Sequence, residues 1–539
     1  MTSNAEWWRG AVIYQIYPRS FFDSNGDGIG DLKGITEKLD YVASLGVDGF
    51  WVSPFFTSPM KDFGYDVSDY NDVDPMFGTL EDFDAMVARA HELGLKVIID
   101  QVYSHTSDQH AWFQESRESR DNDKAEWYVW ADARYDGSPP NNWQSVFSIP
   151  AWTWDARRQQ YYMHNFLSEQ PDLNLHHPDV QDALLDVARF WLDRGVDGFR
   201  LDAINCGMHD PLLRDNPPAK APDRNETRPC FMQTPKYNMC HDNMPQVLER
   251  LRAVTDQYGE VFTVAEVGAA EPLPVMKDYT YGGKRLNTAY GFEFLSTTDL
   301  TVEGVREILE GWPGEEGEGW PSWAFSNHDA PRVASRWLKD LDHSHRVRLI
   351  ALLQFALRGN AFVYNGEELG LTQATVPFER LQDPEAINNW PHTMGRDGAR
   401  TPMPWTNDDA PHAGFSTVEP WLPVDDEHRS MSVAAQHEDK HSTLHFFRSM
   451  IALRKSSPAL QIGSLEFIDA LKGVLAFKRV TDGETVLCVF NLGADEVAWS
   501  PDNASDFTVI AGVGDTVTGE KPPAMLGAYS GYIGFESDG

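Results

Sequence analysis

The feature that most constrains this chain is a repeated switch of period. Short apolar runs alternate with stretches whose apolar residues recur every three or four positions. Residues 11–17 read as a strand, and Ile35, Leu39, Val42 and Leu45 then fall at helical spacing. Residues 47–53 form a second apolar run, followed by Phe83, Met86, Val87, Ala90 and Leu93 on one helical face. Residues 96–102 are a third. The alternation resumes with a helix over 180–192, a strand over 196–203 and a helix over 247–258. Strands follow at 262–267, near 290–294 and at 322–326, and a helix over 346–357 leads to a strand at 361–364.

About eight β units joined by helices predict an α/β fold, the closed (β/α)8 TIM barrel. A doubly wound sheet normally carries a Gly-rich phosphate turn after its first strand, and none is present. The pattern breaks twice. Residues 104–174, rich in Trp, Asp, Pro and Asn, have no helical period and read as a subdomain inserted after strand three. Beyond residue 463 the pattern changes to alternating strands such as 473–479 and 485–491. The expected division is a barrel of 1–103 and 175–459, an insert of 104–174, and a C-terminal antiparallel β-sandwich of 460–539.

Charge narrows the partners. Lys and Arg total 45 against 82 Asp and Glu, a formal net charge of −37. Such a surface repels nucleic acid and anionic membranes and suits a neutral ligand. Four cysteines, Cys206, Cys230, Cys240 and Cys488, are too few for a disulfide framework. A Cys230–Cys240 bridge is open, but free thiols are the expectation. There is no secretory pattern at the first residues and no membrane-length apolar run. A cytoplasmic monomer or homodimer is expected, with no nucleic-acid and no membrane partner. Eighteen tryptophans suit the apolar faces of sugars, although large core aromatics are the plainer reading.

In a TIM barrel the chemistry sits where strands end at the C-terminal rim. The third strand ends at Asp100 and leads to His105, and the fourth ends in Arg200-Leu201-Asp202. The fifth ends in Glu266 and the seventh in Asn327-His328-Asp329. Three carboxylates, Asp202, Glu266 and Asp329, thus meet two histidines and an arginine. Paired carboxylates fit glycoside hydrolysis, one attacking the anomeric carbon and one protonating the leaving oxygen. A structural ion-pair network or a metal site would use the same residues.

Six ordered segments carry a resemblance. They are Asp100-Gln-Val-Tyr-Ser-His105, Gln170-Pro-Asp-Leu-Asn174, Gly198-Phe-Arg-Leu-Asp202, Val264-Ala-Glu266-Val, Phe325-Ser-Asn-His-Asp329 and Gly366-Glu-Glu-Leu-Gly370. Together they resemble the α-amylase superfamily, glycoside hydrolase family thirteen, over essentially the whole length. Three further stretches are similar to bacterial α-glucosidases and oligo-1,6-glucosidases. These are Trp7 to Ser20, Asp62-Phe-Gly-Tyr-Asp66, and Gly395-Arg-Asp-Gly-Ala-Arg-Thr-Pro-Met-Pro-Trp405.

The resemblance implies roles. Asp202 would be the nucleophile, Glu266 the general acid/base and Asp329 the transition-state stabiliser. His105, Arg200 and His328 would contact the sugar or the nucleophile, Asp62 and Arg396 would grip the terminal glucose, and Tyr65 would stack on it. Phe147 and Phe166 would wall the pocket, with insert core as their alternative. Ala203 would favour α-1,4 over α-1,6 linkages. The implied activity is exo-acting and retaining, on short α-glucosides, with transglucosylation. A glucosyltransferase, an isomerase or an α-1,6-specific enzyme on the same scaffold is the alternative. Finally, Asp23, Asn25, Asp27 and Asp31, with the Ile29 carbonyl, place oxygens at alternate positions able to wrap one divalent cation, Ca²⁺ or Mg²⁺. The resemblance implies that cation in a structural role and no organic cofactor.

Overall fold

The computed structural model describes residues 6–220, 228–312, 317, 319–407, 409–469, 473–499 and 506–536. Eight parallel strands close a barrel in chain order. They are β1 (Val12–Ile16), β2 (Gly49–Val52), β3 (Lys96–Val102), β4 (Gly198–Asp202), β5 (Phe262–Val267), β6 (Thr288–Gly291), β7 (Trp320–Ala324) and β8 (Asn360–Tyr364). Closure runs through β1 and β8, with Val12 opposite Ala361. Apart from Lys96 every residue of these strands is buried. Strands covered on both faces read as continuous apolar runs, which is why the pattern was visible in the sequence. Side chains alternate between a barrel interior of Ile13, Trp51, Ile98, Phe262, Tyr290 and Phe362 and an outer layer facing the helices.

The surrounding helices are α1 (Leu32–Ser44), α2 (Leu80–Glu92), α3 (Pro178–Asp193), α4 (Met244–Thr255), α5 (Pro272–Thr280), α6 (Val302–Gly311), α7 (His343–Ala356) and α8 (Thr443–Ser456). Their starts are written locally. Thr79 and Asp82 form a reciprocal capping box on α2, and His177 caps α3 ahead of Pro178.

Most element ends shift by one to three residues from the sequence expectation, and three of the shifts bear on the rim. The sixth strand is Thr288–Gly291, and Glu293–Ser296 is a helical turn. Tyr290 in the strand and Phe294 in the helical turn are both buried, so period alone could not separate the two forms. The seventh strand begins two residues earlier, at Trp320. The fourth stops at Asp202, because Ala203 turns into the left-handed region (φ 39°, ψ 37°).

Between β3 and α3 lies a small antiparallel sheet in which Gln160–Met163 sits between Trp130–Ala131 and Trp152–Asp155. It has its own core of Val129, Trp143, Ala151, Trp152 and Met163. The C-terminal region is a five-stranded antiparallel sheet built from β9 (Ser464–Phe467), β10 (Val474–Thr481), β11 (Glu484–Asn491), β12 (Phe507–Val513) and β13 (Ser530–Glu536), ordered β9-β10-β11-β13-β12. A two-stranded ribbon, Val497–Ala498 with Met525–Leu526, accompanies it. Arg479, fully buried, fastens this sheet to the barrel by donating to the Ala356 carbonyl at the end of α7 (2.9 Å). All four cysteines are free thiols. Among the described residues, no helix is long and apolar enough to cross a membrane.

Candidate active site

Arg200 and Asp202 share one face of β4 because they are two residues apart on a strand. Arg200 is fully buried and gathers three carboxylates. Its Nη1 donates to Asp100 Oδ1 and to Asp202 Oδ1, both at 2.6 Å, and its Nη2 lies 2.5 Å from Glu266 Oε1. The guanidinium rests 4.7 Å from the Trp51 ring, whose Nε1 donates to Asp100 (2.8 Å). Tyr290 donates to Glu266 Oε1 (3.2 Å), and the Ala203 N–H points at Oε2 from 3.4 Å.

One cation cannot neutralise three buried acids. Burial pushes Asp100, Asp202 and Glu266 each to about 7, against the pull of Arg200. The cluster therefore keeps a proton near neutrality. Asp100 and Asp202 take the two short, charge-assisted bonds from Nη1, which favours their ionised forms. Nη2 approaches Glu266 without hydrogen-bonding alignment, so Glu266 is bonded only by a hydroxyl and a long N–H contact and is the acid left to carry the proton.

Asp329 stands in the opposite environment. Arg400 Nη2 donates to its Oδ1 at 2.7 Å and Arg396 Nη1 at 3.3 Å, while His328 Nε2 lies 3.2 Å from Oδ2. Burial opposes ionisation, but His328, Arg400 and Arg396 outweigh it and hold the carboxyl below the ordinary range. Burial lowers His105 to about 4 and His328 to about 3, so both rings are neutral at pH 7. His328 stacks on Tyr65 (5.4 Å, 6°) and reaches its hydroxyl at 2.6 Å. His105 donates to the Tyr65 carbonyl (3.0 Å) and meets Phe166 at 4.9 Å with the rings tilted by 50°.

Tyr65 reaches this position through a tight turn. Phe63 and Gly64 both have positive φ (52° and 107°), and a Cβ on Gly64 would meet the Pro54 carbonyl oxygen at 3.0 Å. The N–H groups of Lys61 and Asp62 close the turn on the Asp66 carboxylate (2.8 and 2.9 Å). Asp62 then receives Arg396 Nη2 at 2.8 Å, and the same nitrogen donates to Asp383 at 2.8 Å.

These groups enclose a cavity of about 370 Å³. Asp62, Tyr65, His105, Phe147, Phe166, Asp202, Ala203, Glu266, Asp329 and Arg396 line it, so ten of the residues named from the sequence come together. Arg200 and His328, fully buried, sit beneath its wall rather than in it. Ala203, read as the last residue of the fourth strand, instead takes a left-handed turn and lies in the pocket. Sequence reasoning missed Asp383 and the role of Arg400. Arg400 lay inside the quoted 395–405 stretch. Asp383 had only a helix-start signal, an N-cap aspartate before Pro384.

The 23–31 loop is a separate matter. Asp23 accepts from the N–H groups of Gly26 (2.7 Å) and Gly28 (2.8 Å) and from the Ser416 hydroxyl (2.6 Å). Asn25 and Asp27 accept from Asp27 and Ile29 N–H, both at 2.9 Å. Asp31 caps α1 and binds Ser24. The oxygens suit a hard cation, but the loop's own donors already occupy them. Among the described residues no group of three or more His, Cys, Asp or Glu side chains is arranged as a metal ligand set.

A closed parallel barrel with buried carboxylates on its C-terminal rim fits a barrel glycoside hydrolase. The chain belongs to the α-amylase family: the model described as "Alpha amylase, catalytic domain" matches residues 15–463. It is 53% identical over 501 residues to a Rhizobium meliloti (strain 1021) protein named "Probable alpha-glucosidase", covering 92% of this chain and 90% of that one. It is 37% identical to the oligo-1,6-glucosidase of Parageobacillus thermoglucosidasius, over 86% of each. Among solved structures, the α-glucosyl transfer enzyme XgtA superposes with a TM-score of 0.93 at 49% identity, covering 98% of this chain and 99% of that one.

Proposed function

We propose that this glycoside hydrolase is an exo-acting, retaining α-glucosidase that removes single glucose units from short α-glucosides, with α-1,4 links preferred. The observation that carries the reading is the pairing of two charge environments around one closed pocket. Asp202, ionised beside Arg200, attacks the anomeric carbon while Glu266 gives its proton to the leaving oxygen. Water then attacks the glucosyl–Asp202 ester as Glu266 takes back a proton. Asp329, a fixed anion, faces the positive charge that develops on the sugar ring. The Asp62–Arg396–Asp383 chain closes the far end, which limits the pocket to one terminal glucose.

The same ester can pass to an acceptor hydroxyl, and the likeness to a glucosyl transfer enzyme supports transglucosylation beside hydrolysis. The test is a product assay on maltose, isomaltose and starch, with free glucose and transfer products resolved. Early proton NMR should show α-glucose first; β-glucose first overturns the retaining mechanism. We infer further that the 23–31 loop holds one structural Ca²⁺ or Mg²⁺. A cation there competes with N–H donors, so binding is weak. Chelation should lower Tm by only about 2–4 °C, with kcat at mild temperature unchanged. The free thiols support a reducing, cytoplasmic setting.

A further inference from the structure

Tyr290 stands on β6 beside Glu266 on β5, the two being partners in the sheet register. Its ring is buried in the barrel interior, tilted against Phe362 at 5.7 Å. Its hydroxyl touches two groups of the Arg200 cluster, lying 3.1 Å from Arg200 Nε and 3.2 Å from Glu266 Oε1. An arginine nitrogen can only donate, so the hydroxyl accepts there and its single hydrogen is left for Oε1. The direction of this chain, from Arg200 through Tyr290 to Glu266, is fixed by the donors themselves. We propose that Tyr290 is a positioning residue for proton transfer: it holds Oε1 of Glu266 as an acceptor, keeps the working proton on Oε2, and stabilises the carboxylate that forms when that proton leaves.

The two oxygens of Glu266 are not equivalent. A proton on Oε1 would face the Tyr290 hydrogen, with the positive Arg200 Nη2 only 2.5 Å away. Oε2 meets only the Ala203 N–H, at 3.4 Å, and is the oxygen left for the cavity that Glu266 lines. The proposal rests on the α-glucosidase reading, in which Glu266 is the acid. As the bond from C1 to the leaving oxygen breaks and an Asp202 oxygen bonds to C1, the Oε2 proton passes to the leaving oxygen. The electron pair of its O–H bond stays on Glu266. Tyr290 then donates to an anion, and such a bond is roughly twice as strong as a neutral one. An interaction that strengthens in the transition state raises the rate of the chemical step.

The charged groups that face Glu266 are Arg200 and Asp202 from β4, Asp100 from β3 and Asp329 beyond β7. Arg200 favours the carboxylate and the three acids oppose it. The Tyr290 hydroxyl joins Arg200 on the carboxylate's side, so removing it should raise the pH at which Glu266 loses its proton.

The experiment measures kcat/KM of Tyr290→Phe across pH, on maltose and on 2,4-dinitrophenyl α-glucoside. Phenylalanine keeps the ring and removes only the hydroxyl. Maltose has a poor leaving group that needs the proton, and its kcat/KM should fall about 10–100-fold. The acidic phenol departs with little help from a proton, so the aryl glucoside should stay within about twofold. The alkaline limb on maltose should move up by about one pH unit. Tyr290→Met, which lacks ring and hydroxyl alike, should repeat the split, with circular dichroism and Tm reporting on the fold of both variants. In Glu266→Gln, adding Tyr290→Phe should cost no more than about twofold on the aryl glucoside, because the hydroxyl acts through that acid. A merely structural role, in which Arg200 shifts and carries Asp202 with it, would slow both substrates alike. Equal losses on the two substrates, or an alkaline limb that does not move, overturn the assignment of Tyr290. A wild type that hydrolyses neither compound overturns the α-glucosidase reading beneath it.

Discussion

Two carboxylate clusters share one barrel rim and are wired in opposite senses. Around Arg200, one guanidinium serves Asp100, Asp202 and Glu266, and burial lifts all three acids to about 7. Around Asp329, two guanidiniums and a neutral imidazole converge on one carboxylate, which stays ionised although Arg396 is shared with Asp62 and Asp383. The number of guanidiniums that reach each carboxylate sets the division of labour: the acids that share Arg200 can exchange a proton near neutral pH, and Asp329, reached by two, cannot. Strand geometry supplies the first cluster, through residues two apart on β4 and neighbours on β3 and β5. A long loop supplies the second, carrying Arg396 and Arg400 back to β7.

The largest effect tests the first cluster at its centre. Asp202→Asn should lower kcat by roughly 10⁴-fold or more with the fold intact, because the attacking carboxylate is gone. Circular dichroism and a product assay check both halves. Near-native turnover would refute the division of roles.

Glu266→Gln should be next, at roughly 10²–10⁴-fold in kcat/KM. Its sharper readout is the pH profile. Burial raises Glu266 above the ordinary glutamate range, so its working, protonated form is present at low pH and lost as pH rises through about 7. Wild-type kcat/KM should fall on that alkaline side. The amide does not titrate, so the variant should lose the alkaline limb. With one fewer acid competing for Arg200, the acid limb governed by Asp202 should also move to lower pH. An alkaline limb that survives in Glu266→Gln would assign the proton elsewhere.

The second cluster should respond differently. Arg400→Gln removes one charge-assisted bond to Asp329, worth about 1.5–3 kcal/mol, so kcat/KM should fall roughly 10–100-fold. Arg396 remains, and Asp329 should stay ionised, so the pH profile should keep its shape. A new limb near neutral pH would show that both arginines are needed to hold the charge.

What could be read from the sequence follows the same line. Buried parallel strands are apolar on both faces, so eight of them and their rim residues stand out, and Arg200, Asp202, Glu266 and Asp329 are placed by counting from strand ends. The 365–442 loop has no period, so nothing in it says which arginine meets which acid. Arg396 was reached only through the resemblance, and Asp383 was not reached at all. The fourth strand's end was misjudged for a local reason: alternation predicts direction only while the chain stays extended, and Ala203 leaves that region at once.

That residue gives the smallest and most discriminating test. Ala203 lies in the sugar pocket, its N–H 3.4 Å from Glu266 Oε2, so it is a link between pocket shape and the proton-carrying acid. Its φ of 39° is tolerated by alanine and strongly disfavoured for a β-branched side chain. Ala203→Val therefore changes two things together. It adds two methyls where an aglycone attached through its 4-oxygen must pass, and it strains the turn that aims the N–H at Glu266. Wild type should hydrolyse maltose well above isomaltose. Valine should shift the ratio of their kcat/KM values toward isomaltose by roughly tenfold, within the 1–3 kcal/mol typical of pocket-shape discrimination. Ala203→Gly separates the causes: it relieves the strain and opens the pocket, so the ratio should move toward maltose while the alkaline limb stays in place. If valine leaves the linkage ratio unmoved but displaces the alkaline limb, Ala203 acts through Glu266 alone, and pocket shape at this turn does not set linkage.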